Sequence, residues 1–153
     1  MWARSQSTLV NNLRLIMDDR DVAKRSETMA AIKSKGTSLE KKLATALSEA
    51  GIKRIKTHPS NVFGNPDLVN RKKKLAIFID SCFWHGCPDH CRMPNSNREY
   101  WIRKIERNRK RDRKVKRALT QNGWKVIRIW EHSIKRESKL RWWITRIGNL
   151  VDQ

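Results

Sequence analysis

Cys82, Cys87 and Cys91 fall within ten residues, with His85 and His90 among them, in the run Cys-Phe-Trp-His-Gly-Cys-Pro-Asp-His-Cys. Zinc takes four ligands in a tetrahedron, drawn from thiolate sulfur and imidazole nitrogen. An odd number of cysteines grouped this tightly, with no secretory hydrophobic stretch in the chain, points to metal rather than disulfides. Cys82, Cys87, His90 and Cys91 supply candidates from one loop, and His132 adds another from the end of a predicted strand. His90 and Cys91 are adjacent, so one of the two is expected to be spare. The alternative is three buried thiols that hold nothing.

Acids form the second group. Lys and Arg number 35 against 15 Asp and Glu, a net charge of +20, so an acid on an inner face needs a reason. Asp67 follows Pro66 at the entrance to a predicted strand, and Asp80 closes the next one. Carboxylates at adjacent strand ends can hold Mg²⁺, which accepts oxygen ligands and activates water beside a phosphate. On the residues alone, Asp67 also reads as an ordinary strand-entry turn. Glu40 reads as the third helical residue of a capping box, Thr37-Ser38-Leu39-Glu40. Three roles are open to His85: acid or base in catalysis, a fifth zinc candidate, or a surface imidazole.

The elements that must position these groups are legible in outline. Ser26 can cap a short helix carrying Met29 and Ile32, which Gly36 would stop. Leu39, Leu43, Leu47 and Ala50 recur at helical spacing until Gly51. Residues 52–58 form a weak strand candidate. Asp67-Leu68-Val69 and Leu75-Ala76-Ile77-Phe78-Ile79 read as strands joined by a polar turn. Residues 98–121 make a long helix ended by Gly123, and residues 124–130 form the strongest strand, rich in β-branched and aromatic residues. An amphipathic segment follows from about 139 to 150. The strand–helix–strand unit spanning 75–130 implies two parallel strands, with Cys82 and His132 leaving the same sheet edge. The fold class is therefore α/β, a mixed sheet flanked by helices.

On the long helix, Trp101, Ile105, Asn108, Asp112, Val115 and Leu119 share one face, so Asn108 and Asp112 are expected to lie buried beneath something polar, a rotated helix being the less favoured reading. From Arg98 to Arg117 there are eleven Lys or Arg residues against three acids. Such a face suits a DNA phosphate backbone, and a solvated surface is its plainer reading. Phe83, Trp84 and Trp101 sit beside it, and aromatics among cations suit stacking on bases.

The chain has 153 residues, enough for one domain and hardly for two. Its pI near 10.7 exceeds what solubility needs and implies a polyanionic partner. No apolar run approaches the roughly 20 residues of a membrane span. Residues 1–20 read as an unstructured N-terminal extension, and 21–153 as a single domain acting as a monomer in a reducing cytoplasm. Arg and Ser without acids in the first seventeen residues faintly resemble a transit peptide, the less favoured reading.

The motif Phe78-Ile79-Asp80-Ser81-Cys82-Phe83-Trp84-His85-Gly86-Cys87-Pro88 resembles the signature of the very-short-patch mismatch endonucleases. The similarity continues through Glu99-Tyr100-Trp101, Asn108-Arg109-Lys110-Arg111-Asp112-Arg113, Gly123-Trp124-Lys125-Val126 and Ile129-Trp130-Glu131-His132. Upstream, Arg25-Ser26-Glu27-Thr28-Met29-Ala30-Ala31-Ile32 and Gly64-Asn65-Pro66-Asp67 are similar too, so the resemblance covers roughly residues 21–134. It implies a restriction-endonuclease-like fold with a structural Zn²⁺ site. The implied activity is a Mg²⁺-dependent nick of double-stranded DNA, 5′ to a thymine mispaired with guanine. Such T·G mismatches follow deamination of 5-methylcytosine, which implies a functional link to a cytosine-5 DNA methyltransferase. By motif position, Asp67 resembles the Mg²⁺-binding carboxylate, with the Ile79 backbone carbonyl nearby, and His85 the catalytic histidine. Glu40 matches an active-site acid, and Phe83, Trp84 and Trp101 match aromatics that wedge into the duplex. Met29 and Ile32 match an element entering from the minor groove. Cys82, Cys87, His90 and His132 match the zinc positions, with Cys91 the alternative. Asp80 stands where some members carry histidine, which leaves its role as metal ligand or proton carrier open.

Overall fold

The computed structural model describes residues 36–152, so the extension at 1–20 and the short helix expected to carry Met29 and Ile32 lie outside the described residues. Helix α1, Ser38–Glu49, starts as its capping sequence dictates: the Thr37 hydroxyl oxygen accepts the Glu40 N–H at 3.3 Å. It buries Leu43 and Leu47 and stops at Gly51, whose φ of +76° suits a residue without a Cβ.

Four strands form one sheet in the order β1–β2–β3–β4. β1 is only Lys56–Thr57, much shorter than the 52–58 expected. Arg54 and His58 bracket it with positive φ values of 65° and 43°, which break the extended run on both sides. β2, Leu68–Asn70, pairs antiparallel with β1 and with β3, Leu75–Asp80. The Asn70 side-chain oxygen holds the polar turn between them by accepting the Lys73 N–H at 3.0 Å. Helix α2, Arg98–Gln121, then crosses to β4, Lys125–Trp130, which runs parallel to β3 with Phe78 opposite Arg128 and Asp80 opposite Trp130. The parallel pair is the one the sequence implies.

Alternation along the strands divides the core between the two faces of the sheet. Leu68, Leu75, Ile77, Ile127 and Ile129 pack with Leu43 and Leu47 of α1. Ile134 and Leu140 join the same cluster, from a one-turn helix α3, Glu131–Lys135, and from helix α4, Glu137–Asp152. On the other face, Val69, Ala76 and Phe78 meet Val115 and Leu119 of α2. β3 is thus covered on both sides, which is why it reads as a continuous apolar run. Gly64 lies against this second layer: a Cβ there would collide with the Val115 side chain. No helix among the described residues is long and apolar enough to cross a membrane.

Candidate active site and metal centre

Three elements bring Glu40, His58 and Asp67 together, with donor atoms all within 4.8 Å of one another. Asp67 lies just before β2, its N–H donating to Ile77 O and its carbonyl accepting from the His58 N–H at 2.9 Å. Its side-chain oxygen accepts the Ile79 N–H at 2.6 Å. Ile79 is therefore at the Asp67 carboxylate through its N–H, where the resemblance names its carbonyl. Glu40 is buried and keeps its capping role: it accepts the Thr37 hydroxyl at 2.9 Å and the Gly36 N–H at 2.8 Å. Its second oxygen also lies 2.7 Å from His58 Nε2.

Burial pushes the Asp67 carboxyl up to about 6, against the Ile79 bond that lowers it, and the neighbouring Glu40 raises it further. A carboxylate desolvated beside another acid gains most from a cation, and two carboxylates with one imidazole are a donor set that a divalent ion accepts. His58 carries no motif that marks it. Its signal is positional: it directly follows β1, which pairs with the strand that Asp67 precedes.

Asp80 does not join this group. The strand-end pairing of Asp67 with Asp80 expected for a metal gives way to Asp67 with Glu40 and His58. Asp80 is buried, and both of its oxygens accept from Arg128, at 2.7 Å from Nε and 2.6 Å from a terminal nitrogen. The same guanidinium lies 3.1 Å from Asp112 Oδ1. Asp112 Oδ2 meets His85 Nδ1 at 2.6 Å, while Asp80 Oδ1 stands 3.9 Å from that nitrogen. Burial raises the Asp112 carboxyl, but the His85 bond and the Arg128 charge outweigh it and hold the group below the usual carboxylate range. Burial likewise lowers Arg128, and Asp80 and Asp112 reverse the shift. Asn108 donates to the Trp84 carbonyl at 2.9 Å. The polar interruption of the α2 stripe thus lies beneath the loop of Trp84 and His85, as expected.

The second cluster follows β3. Cys82, Cys87, His90 and His132 bring their donor atoms within 4.8 Å of one another. Cys82 Sγ is 3.2 Å from His132 Nδ1, and Cys87 Sγ is 3.7 Å from His90 Nδ1. Ligands of a tetrahedral zinc, at about 2.3 Å for sulfur and 2.0 Å for nitrogen, stand roughly 3.3–3.8 Å apart, close to the spacing of the nearest pairs here, so the cluster could hold that ion. Burial pushes the Cys82 thiol up to about 11, so a thiolate there needs a cation to hold it. Cys91 is outside the group; its Sγ faces the Phe83 carbonyl at 3.8 Å. His132 arrives on α3, and the preceding Glu131 accepts the Cys82 N–H at 2.9 Å. Gly86 lets the loop lie on α2, since a Cβ there would stand 2.8 Å from Ile105.

Phe83, Trp84 and Trp101 form an edge-to-face cluster with centroids 5.1–5.9 Å apart. Trp101 is buried beneath it, whereas Phe83 and Trp84 are half-buried. Lys104 Nζ lies 4.9 Å from the Trp84 ring centroid. Arg103, Arg107, Arg109, Lys110 and Arg111 are exposed along the adjoining length of α2.

Residues 17–93 match the family described as DNA mismatch endonuclease Vsr. The type II nicking enzyme V.NaeI of Lentzea aerocolonigenes is 45% identical over 114 residues, covering 72% of this chain and 69% of the relative. The type II nicking enzyme V.NmeDIP of Neisseria meningitidis serogroup C is 40% identical over 120 residues, covering 77% and 80%. The DNA mismatch endonuclease Vsr of Escherichia coli strain K12 is 35% identical over 126 residues, covering 80% and 79%. With the matched segment containing the acidic group, His85 and three of the four clustered Cys/His donors, the chain belongs to the Vsr family of DNA mismatch endonucleases.

Proposed function

We propose that this chain nicks one strand of duplex DNA on the 5′ side of a thymine mispaired with guanine, and so starts repair where 5-methylcytosine has deaminated. The observation that carries the reading is the half-buried Asp67 carboxylate grouped with buried Glu40 and with His58, in a chain otherwise so basic. Relatives named type II nicking enzymes support cleavage of a single strand, and the relative named a mismatch endonuclease supports the substrate class. Asp67 and Glu40 would hold Mg²⁺, with the Ile79 backbone carbonyl as a further oxygen and His58, 2.7 Å from the Glu40 carboxylate, orienting that ligand. The ion supplies Lewis-acid stabilisation of the phosphate and the leaving oxygen. His85, with Nδ1 committed to Asp112, keeps Nε2 to exchange a proton with water or the leaving oxygen. The two groups flank one strand end: Ile79, bonded to Asp67, is followed directly by Asp80 beside His85.

Cys82, Cys87, His90 and His132 would hold a structural Zn²⁺, which fixes the loop carrying Phe83, Trp84 and His85. A strand-nicking assay on matched and T·G duplexes, with and without Mg²⁺, tests the whole reading. Nicking confined to T·G duplex with metal present is expected. Metal-dependent nicking of another DNA structure would keep the nuclease and replace the substrate. Binding without any nick would leave a DNA-binding module.

His58 should set the metal requirement. Losing a metal ligand, or the partner that orients one, typically weakens metal affinity about 10- to 100-fold. His58→Ala is therefore expected to shift half-saturation by Mn²⁺ or Mg²⁺ upward by that factor, read by calorimetry on the DNA-free protein. An unchanged metal isotherm would remove His58 from the site.

Recognition is expected to split between two surfaces. A T·G wobble pair is less well stacked than a matched pair, so an aromatic wedge gains selectivity where the duplex is weak. Trp84→Ala should cost T·G duplex about ten- to hundredfold in affinity, from roughly 1–3 kcal/mol of stacking, and cost T·A duplex less. Replacing exposed cations between 103 and 117 should weaken both duplexes alike and flatten the salt dependence. Equal losses on both duplexes for Trp84→Ala would reduce the tryptophan to loop packing.

A further inference from the structure

We propose that Arg128 is a positioning residue for the nicking reaction: its guanidinium occupies both oxygens of Asp80 and one of Asp112, and so reserves the remaining Asp112 oxygen for His85. This rests on the reading of His85 as the proton-transfer residue.

Two carboxylates face the same imidazole nitrogen. Asp112 Oδ2 bonds His85 Nδ1 at 2.6 Å, and Asp80 Oδ1 waits at 3.9 Å. Which of them holds the ring decides where Nε2 points. Arg128 settles the competition through geometry. Its Nε and one terminal nitrogen take Asp80 in a two-point fork at 2.7 and 2.6 Å, which turns both oxygens of that carboxylate toward the guanidinium and holds it back from His85. The same terminal nitrogen reaches Asp112 Oδ1 at 3.1 Å, the oxygen that His85 does not use. The arrangement therefore orients Asp112 as well as withdrawing Asp80.

The guanidinium is itself fixed by the fold. Arg128 and Phe78 are opposite one another on the parallel strands, and the Phe78 ring lies 4.9 Å from the guanidinium carbon. Asp80, two residues beyond Phe78, is its diagonal neighbour on the same face, within reach of a long side chain. Asp112 comes down onto that face from α2. Without Arg128, two partly buried carboxylates would confront each other with one imidazole between them. Lysine, a compact ammonium on a flexible stem, cannot reproduce the planar fork that fixes Asp80 while the same group reaches Asp112.

The test uses the full-length protein with Mg²⁺ on a T·G duplex, and compares Arg128→Met, Arg128→Lys, Arg128→Met with Asp80→Asn, and His85→Ala. Single-turnover nicking rate, DNA Kd and thermal unfolding are read for each. Arg128→Met is expected to slow nicking roughly 100-fold, the scale of a mispositioned acid–base residue, with Kd within about twofold of wild type. Adding Asp80→Asn removes the competing charge and should restore at least about tenfold. Arg128→Lys should fold and still be slowed about tenfold, which keeps the test open where methionine disrupts the sheet. A downfield imidazole proton, the mark of the short His85–Asp112 bond, should be present in wild type and lost in the slowed Arg128 variants.

A loss confined to Kd, with no rescue by Asp80→Asn, would make Arg128 a phosphate contact and overturn the inference. So would a wild-type nicking rate in folded Arg128→Lys. If His85→Ala nicks at the wild-type rate, the reading of His85 fails instead. His85→Ala inactive beside fully active Arg128→Met sinks the inference alone.

Discussion

Replacing Asp67 with asparagine is expected to lower metal-dependent nicking of a T·G duplex about 1000-fold while DNA affinity stays the same or improves slightly. The size follows from the role: a bound divalent ion supplies several kcal/mol of stabilisation to a charged transition state, at roughly 1.4 kcal/mol per tenfold in rate. Affinity should not fall, because the substitution deletes a negative charge beside the place a phosphate must occupy. The fold should also survive. The asparagine oxygen can still accept the Ile79 N–H that Asp67 accepts at 2.6 Å. The lost charge is one that burial already disfavours, as the carboxyl's rise to about 6 attests. Thermal unfolding of the metal-free variant should thus match or exceed wild type. A folded Asp67→Asn protein that nicks at near wild-type rate would falsify the active-site assignment.

Asp67 and His58 show what is and is not legible before the fold is known. Asp67 stands out because Pro66-Asp67 precedes, by about a dozen residues, an acid at a strand end in a chain poor in acids. His58 lies only nine positions upstream, yet nothing in its neighbourhood reads as a site. It acquires meaning from pairing, since its N–H bonds the Asp67 carbonyl across the β1–β2 edge. That pairing was hard to foresee because β1 is two residues long and apolar alternation is absent from 52–58. Arg128 was hidden for a different reason. Among 35 basic residues one more arginine carries no contrast, and only the strand register puts it on the face shared with Phe78 and Asp80. A charge on that covered face requires a partner, and it has two. Asp80 shows the converse: an acid at a strand end beside a metal candidate looks like a ligand, and the register also gives it a cation partner from the neighbouring strand.

The fold was more legible than the site because its signals are local. The bounds of α2 follow from Gly123 and from the face that runs from Trp101 to Leu119, and the parallel β3–β4 pair follows from the length of the crossover. The one-turn helix α3, which carries His132, leaves no mark in the sequence, because five residues are too few for a periodic pattern. The choice between His90 and Cys91 is likewise three-dimensional. Adjacent residues in a turning loop point apart, and the loop sends His90 toward His132, with ring centroids 4.3 Å apart, and Cys91 toward the Phe83 carbonyl.

Removing zinc is expected to unfold or aggregate the domain rather than merely slow it. Residues 81–97, between β3 and α2, contain no helix or strand, an unusual length for an irregular segment in a compact domain. Few backbone bonds hold it, among them Cys87 N–H to Cys82 O at 2.8 Å and Cys91 N–H to Cys87 O at 3.1 Å. The four-donor cluster ties this loop to α3, and Cys87 is almost fully buried. Structural zinc binds with about 10–16 kcal/mol in small domains, against a total stability of roughly 5–15 kcal/mol. An ion bound in this cluster would therefore outweigh any margin the two thin core layers provide. Purified protein should contain about one zinc per chain, and a strong chelator should abolish its cooperative thermal transition. The cysteines separate the ligand set from mere proximity. Cys87→Ser should lose both the zinc and the transition, whereas Cys91→Ser should keep both. Zinc lost from Cys91→Ser and retained in a mutant of His90 would exchange the two ligands. Well-folded, active protein with far less than one zinc per chain would show that Cys82, Cys87, His90 and His132 hold the loop by packing alone.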